Sequence, residues 1–254
     1  MSKDIYDSIG IGYSASRLPD PRISARIREA IGNAPSVLNV GAGTGSYEPD
    51  GLWTIAVEPS TVMIDQRPPD AAPVVQARAE QLPFADDAFD VAMAILTVHH
   101  WDDAAGGVAE MRRVSRRQVV MTWDPRHVSE HFWFDREYLP EASMRETDVA
   151  TAGPIAQRLG PSTTTVSVPI PADCTDGFYA AYWARPEAYL DSSVRSAISA
   201  IALCDQDAVT RAVDRLQEDL TSGAWDNRHS DLRRRDSLDA GYRILVSETH
   251  PTMP

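Results

Sequence analysis

Lysine is all but missing from these 254 residues, occurring once as Lys3, and there are only two cysteines, Cys174 and Cys204. Two distant cysteines without a CxxC pair build no disulfide framework, which fits a reducing, cytoplasmic setting. Basic residues number 24 against 37 acidic ones, a net charge of −13. Phosphate contacts need Lys and Arg concentrated on one face, so this balance counts against a nucleic-acid partner. The one basic run, Arg233-Arg234-Arg235, sits among Asp231 and Asp236 and reads as a solvated face or loop. Long apolar runs are missing too. The longest, Val91–Leu96, falls far short of the ~18–20 residues that span a bilayer. MSKDIYDSIG also lacks the basic-then-apolar order of a signal peptide. No membrane partner is expected.

The hydrophobic content is 43%, enough for one large α/β domain or a domain carrying an insertion. No repeat or low-complexity linker interrupts the chain. RISARIREAI (22–31) follows an Asp20-Pro21 start signal and places Ile23, Ile27, Ala30 and Ile31 on one helical face. Strands are predicted at 36–40, 53–57, 73–77, 89–97 and 118–123. The fourth is almost wholly apolar, as a central parallel strand covered on both faces should be. Between the last two lies a helix over 102–114 with Asp102 as its cap. Strands alternating with helices or turns indicate a parallel α/β sheet. Two later alternating runs, Thr163–Ile170 and Tyr242–Ser247, flank about seventy residues of helical and irregular character. They predict an antiparallel edge, with residues 172–238 inserted as a helical cap in a single domain spanning 1–254.

Open parallel sheets bind ligands beyond the carboxyl ends of their strands. Four features converge there: the loop Gly41-Ala42-Gly43-Thr44-Gly45, then Glu58, then Ala79-Glu80, then Thr97–Trp101. The loop reads GxGxG rather than the dinucleotide GxGxxG. Pro49 and Asp50-Gly51 leave room for hardly more than one helical turn before the second strand, so a pyrophosphate on a long helix dipole is poorly supported. A ligand without phosphates fits better, with Glu58 accepting hydrogen bonds from ribose hydroxyls.

VLNVGAGTG, IAVEPS, ARAEQLPFADDAFDVAMAILTVHHW and EMRRV, in that order over residues 36–124, resemble class I S-adenosylmethionine-dependent methyltransferases. The resemblance is to the small-molecule branch that includes ubiquinone and menaquinone C-methyltransferases. It implies a Rossmann-like, seven-stranded, mostly parallel sheet with an antiparallel edge strand, and S-adenosylmethionine as cofactor. On this resemblance Gly41, Ala42 and Gly43 line the methionine part of the cofactor and Glu58 holds the ribose. Pro59 and Met63 border the adenine, Ala79 and Glu80 meet its edge, and Leu96-Thr97 pass beneath the sulfonium. The chain departs from the family at Asn39, where an acid is usual, and at Arg78, which replaces an acid before the Ala-Glu pair. Ser115-Arg116-Arg117 likewise replaces Pro-Gly-Gly.

Methyl transfer asks the protein for orientation, exclusion of water and, where needed, a base. His99 and His100 follow the fourth strand and are the candidate catalytic residues, His100 preferred; a loop-orienting role stays open for both. Trp101 and Trp123 are candidate pocket walls. Tyr13 and Arg17, with Tyr6, belong to an N-terminal segment that folds over the cofactor in this family. Tyr182 and Trp183, in the aromatic stretch DGFYAAYWARPEAYLD, are candidate substrate contacts, with core packing the competing reading. His127–His131 matches HxxEH, but it lacks an obvious third ligand, and no metal is assigned.

The sequence thus predicts a methyltransferase acting on a small organic molecule, placed in natural-product biosynthesis. Two alternatives remain. One is the same fold catalysing elimination or cyclisation, and the other is a non-catalytic binding subunit. Assembly as a homo-oligomer or with a partner subunit is left open.

Overall fold

A computed structural model describes residues 18–144 and 150–249. Helix α1 (Pro21–Ile31) starts where the sequence says it should. The Asp20 side chain accepts from the Arg22 N–H at 2.9 Å, and Pro21 occupies the first turn, where no intrahelical donor is needed. Ile23, Ile27 and Ile31 form its buried face. At spacing i, i+4, i+8 they make one stripe, and each fully buried side chain contributes about 1.5–3 kcal/mol.

The chain then runs through β1 (Ser36–Val40), β2 (Trp53–Val57), α2 (Thr61–Asp65), β3 (Val74–Val75) and β4 (Phe89–Ile95). One 3-10 turn (Val98–His100) and α3 (Ala104–Val114) lead into β5 (Ser115–Trp123). Short helices α4 (Pro125–His131), α5 (Trp133–Glu137) and α6 (Glu141–Met144) follow, then α7 (Ala152–Leu159) and β6 (Thr164–Ser167). After β7 (Ile170–Pro171) come α8 (Ser192–Ser196), α9 (Ser199–Ala202), α10 (Gln206–Ser222), α11 (Ala224–His229), β8 (Ser237–Leu238) and β9 (Tyr242–Glu248).

Seven strands form one sheet in the order β3-β2-β1-β4-β5-β9-β6. The pairings from β3 to β5 are parallel, while β9 runs antiparallel between β5 and the outermost β6. Alternate residues divide between two cores. Val37, Val91, Met93, Val119 and Met121 pack with the α1 isoleucines. Leu38, Ala92, Ala94 and Val120 pack with Val108 and Met111 of α3 and Ile155 and Leu159 of α7. Covering both faces explains why β4 reads as a continuous apolar run. The strand order reverses between β1 and β4, which opens a crevice beyond their carboxyl ends.

Three local expectations are corrected. The cap of α3 is Asp103, whose side chain accepts from the Ala105 N–H at 3.0 Å. Asp102 instead pairs with Arg78. No helical turn forms between Gly41 and β2; the chain makes successive turns, with Tyr47 at φ +64°. Tyr47 is drawn away from the sheet because its hydroxyl donates to Asp176 at 2.8 Å, and Pro49 has no N–H to extend a helix. The run Thr163–Ile170 is likewise not one strand. β6 ends at Ser167, and β7 leaves the sheet to pair with β8 (Ile170 with Leu238, Pro171 with Ser237). This two-stranded clasp closes the base of the 172–238 excursion. The arginine run above it is pinned by acids: Arg233 by Glu187 at 2.7 Å and Arg235 by Asp231 at 2.6 Å.

Candidate active site

The glycine loop is tied to the end of β2, because Val57 O accepts from both the Gly41 and Ala42 N–H groups (2.8 and 3.0 Å). Gly41 has φ +70°, and a Cβ there would stand 2.2 Å from Thr97 Oγ1. Only glycine permits both the left-handed turn and the close approach of the β4 loop. A network the sequence did not announce supports the loop from behind. Buried Asn39 donates to Glu48 at 3.3 Å, and Glu48 pairs with Arg67 at 2.6 Å. Arg67 in turn donates to Gly43 O at 3.1 Å and Ala72 O at 2.9 Å. These partners are too far apart in the chain for spacing to betray them. The charges of this network are carried by Glu48 and Arg67, with Asn39 as its neutral member.

Glu58 is buried at the end of β2. One carboxylate oxygen accepts from Gly43 N–H at 2.8 Å, the other from Ser60 N–H at 2.9 Å. Burial pushes its pKa up, while those two N–H groups and nearby Arg67 oppose the rise. Each oxygen keeps a lone pair for a further donor.

All ten residues expected to hold a cofactor line one cleft of about 1080 Å³, open to solvent. Gly41, Ala42 and Gly43 form one wall, and Glu58, Pro59 and Met63 another. Ala79 and Glu80 close a third side, and Leu96 and Thr97 form the floor. Glu80 also accepts from the Asp103 N–H at 3.0 Å, which ties the edge of the cleft to the start of α3. Arg78, the departure before the Ala-Glu pair, lines the cleft as well, as does Tyr47, which was not foreseen. Leu96 has φ +52°, and its N–H donates to Met121 O at 2.9 Å. A left-handed leucine is a strained position of the kind that gathers at functional sites.

Leu96 and His100 also line a second cavity of about 600 Å³, likewise open to solvent, so the two spaces share a wall. The 3-10 turn brings the His99 and His100 rings to 3.6 Å between centroids, and the edge of His99 meets Trp123 at 4.7 Å. His99, His100 and Trp123 line this second cavity together with Phe178, Tyr179 and Tyr242. Trp101 lines only the first, packed so closely on α3 that a Cβ on Gly107 would stand 2.4 Å from its ring.

Tyr182 and Trp183 line neither cavity. Trp183 is fully buried, and its indole N–H donates to Ile170 O (2.9 Å) and Pro171 O (3.2 Å), locking the clasp. Tyr182 packs on Tyr189, with the Arg185 guanidinium over its ring. Residues 178–184 make a series of turns, with a 3-10 helix only at Pro186–Leu190, and Tyr182 and Trp183 follow the competing reading of core packing. Phe178 and Tyr179 face the cavity instead. Tyr6, Tyr13 and Arg17 lie outside the described residues. His127 and His131 stack at 4.0 Å and bond to the carbonyls of Asp239 and His127. Among the described residues no group of three or more His, Cys, Asp or Glu converges on a metal position.

Residues 38–121 match the methyltransferase domain family. Over 142 residues the chain is 29% identical to the demethylmenaquinone methyltransferase of Mycolicibacterium paratuberculosis, a match covering 53% of this chain and 62% of that one. The chain spans less than two thirds of the length of the curated relatives it matches. A candidate methyltransferase from an antibiotic biosynthesis pathway of Anabaena variabilis superposes with a TM-score of 0.82 at 30% identity. That match covers 91% of this chain and 98% of the other. The [4+2]-cyclase SpnF superposes with a TM-score of 0.55 at 13% identity over 96% of this chain and 92% of that one, a likeness of fold alone. With a glycine loop, a buried acid and a strained β4 loop around one cleft, the chain belongs to the class I S-adenosylmethionine-dependent methyltransferase family.

Proposed function

We propose that the protein methylates a small organic molecule seated in the second cavity, with S-adenosylmethionine in the first. The observation that carries this reading is the wall shared by the two spaces, made of Leu96 and His100. The residues of the first cleft fit the cofactor. The cradle at Gly41 is one a Cβ would fill, and Glu58 keeps acceptor capacity on both oxygens for ribose hydroxyls. When bound, S-adenosylmethionine supplies a methyl group on a sulfonium, and the carbon–sulfur pair stays with sulfur as the acceptor's lone pair takes the methyl.

The chain's own residues do the rest. Gly41 and Gly43 let the backbone approach closely, Met63 and Pro59 hold the base, and Leu96 sets the floor between donor and acceptor. His100, on the boundary, takes the proton released by the acceptor; general-base assistance of this kind contributes about 10²–10⁴-fold. Trp123, Phe178 and Tyr242 exclude water from the acceptor. The likeness to a protein from an antibiotic pathway supports a natural-product substrate.

Calorimetry with S-adenosylmethionine and S-adenosylhomocysteine tests the cofactor assignment, and absence of binding at millimolar concentration would overturn it. A screen with methyl-labelled cofactor then separates methyl transfer from cyclisation, since only transfer labels the product. On an acceptor so found, His100→Gln is expected to lower kcat by about 10²-fold.

A further inference from the structure

Beside the second cavity lies a carboxylate that the proposed mechanism does not use. Asp135 in α5 is fully buried. One of its oxygens accepts from Ser143 Oγ at 2.7 Å, the other from the Tyr179 hydroxyl at 3.0 Å. Ser143 and Tyr179 both line the cavity, so Asp135 stands immediately behind its wall. Each hydroxyl has spent its single proton on the carboxylate. What it retains is a lone pair, polarised by the charge behind it.

The charge is unbalanced. Among the described residues no cation pairs with Asp135, and the charged neighbour that acts on it, Glu141, has the same sign. Burial raises its pKa to about 6, so it is mostly ionised at neutral pH. A buried unpaired carboxylate costs several kcal/mol, and such groups gather at functional sites. None of the cavity's described lining residues is Lys or Arg, and the only imidazoles among them, His99 and His100, stand at the Leu96 wall. Its aromatic members are Trp123, Phe178, Tyr179 and Tyr242, ring types whose faces attract a cation.

Resting on the methyltransferase reading above, we propose that the acceptor carries a protonated amine, anchored at Ser143 and Tyr179 against the Asp135 charge. The ammonium neutralises the buried carboxylate and gives its N–H groups to the two hydroxyls. A protonated nitrogen has no lone pair to offer, so the atom that receives the methyl is a different one, at the Leu96–His100 wall. Acceptors bearing a carboxylate or phosphate are disfavoured, because no Lys or Arg among the described lining residues meets them.

The test is calorimetry on the full chain saturated with S-adenosylhomocysteine. The probes are phenethylamine, tyramine and tryptamine, each beside its neutral alcohol and its carboxylate of matched size. The expected result is that the amines bind at least tenfold tighter than both counterparts, and that Asp135→Asn abolishes this preference while neutral binding stays within a few-fold. Tyr179→Phe, which keeps the ring, is expected to weaken amines more than alcohols. A merely structural Asp135 would move amines and alcohols together, and that result overturns the proposal. So does equal ranking in the native protein, or no amine binding at millimolar concentration while S-adenosylhomocysteine binds. If S-adenosylhomocysteine itself does not bind, it is the methyltransferase reading that fails.

Discussion

Asp135 also makes a prediction about stability that needs no substrate. Its carboxyl, ordinarily near 3.8, is raised to about 6 in the folded protein, mainly because burial penalises the charge. A raised folded pKa means that the native state holds the proton between pH 4 and 6 while the unfolded chain has released it. Stability from this group is therefore fully present below the unfolded value and is lost as the pH climbs through the folded one. The full span is about two units, or about 3 kcal/mol at 1.36 kcal/mol per unit. Between pH 7.5 and pH 5 the wild type regains about half of this, roughly 1.4 kcal/mol. Glu58 slopes the same way and several other carboxylates the opposite way. Asp20, for example, is lowered to about 2 although burial, the largest influence on it, pushes upward; its bonds to Arg22 outweigh that penalty. A difference measurement cancels them. The stability of Asp135→Asn minus that of wild type, from urea melts at both pH values, is expected to fall by about 1.4 kcal/mol on acidification. In thermal melts this is a relative shift of about 3–6 °C. A difference that stays constant, or grows toward acid, refutes the assignment of a buried ionised carboxylate at this position.

Gly41→Ala is expected to weaken S-adenosylhomocysteine binding by more than tenfold, because the new Cβ must displace Thr97 from the cleft floor. Gly51→Ala is its control. Gly51 has φ +72° with open space around it, so the substitution is expected to cost about 1 kcal/mol in a melt and leave the affinity alone. Trp183→Phe removes the donor to Ile170 and Pro171 and is expected to cost about 1–3 kcal/mol in urea unfolding, with S-adenosylhomocysteine affinity within twofold. An affinity loss without a stability loss would return Trp183 to the substrate site.

The half of the molecule that holds the cofactor was legible because its physics is local. An apolar run that stops at Gly41, an acid directly after β2 and an almost uninterrupted apolar β4 each report a constraint carried by neighbouring residues. What escaped were partners brought together from distant parts of the chain. Arg67 and Glu48 hold the glycine loop, and Asp103 displaces Asp102 as the cap once Arg78 claims the latter. No periodicity encodes such pairings.

The second cavity was less legible for a different reason. Its walls come from the β4 loop, the end of β5, helices α4 and α6, the turns before Tyr182, α9 and the start of β9. Each contributes one to three side chains, so no single segment bears a motif. Aromatics are abundant throughout, and Trp133, Trp183 and Trp225 are all fully buried in packing, so residue type could not tell wall from core. Polar groups discriminate better. A hydroxyl at the edge of an apolar cavity needs a partner, and tracing the partners of Ser143 and Tyr179 leads to one carboxylate, Asp135. In the sequence that residue sits between Phe134 and Arg136, where it reads as an ordinary surface acid of a short helix. Only the packing of Ser143 and Tyr179 against α5 removes it from water and makes it a charge that a bound cation would satisfy.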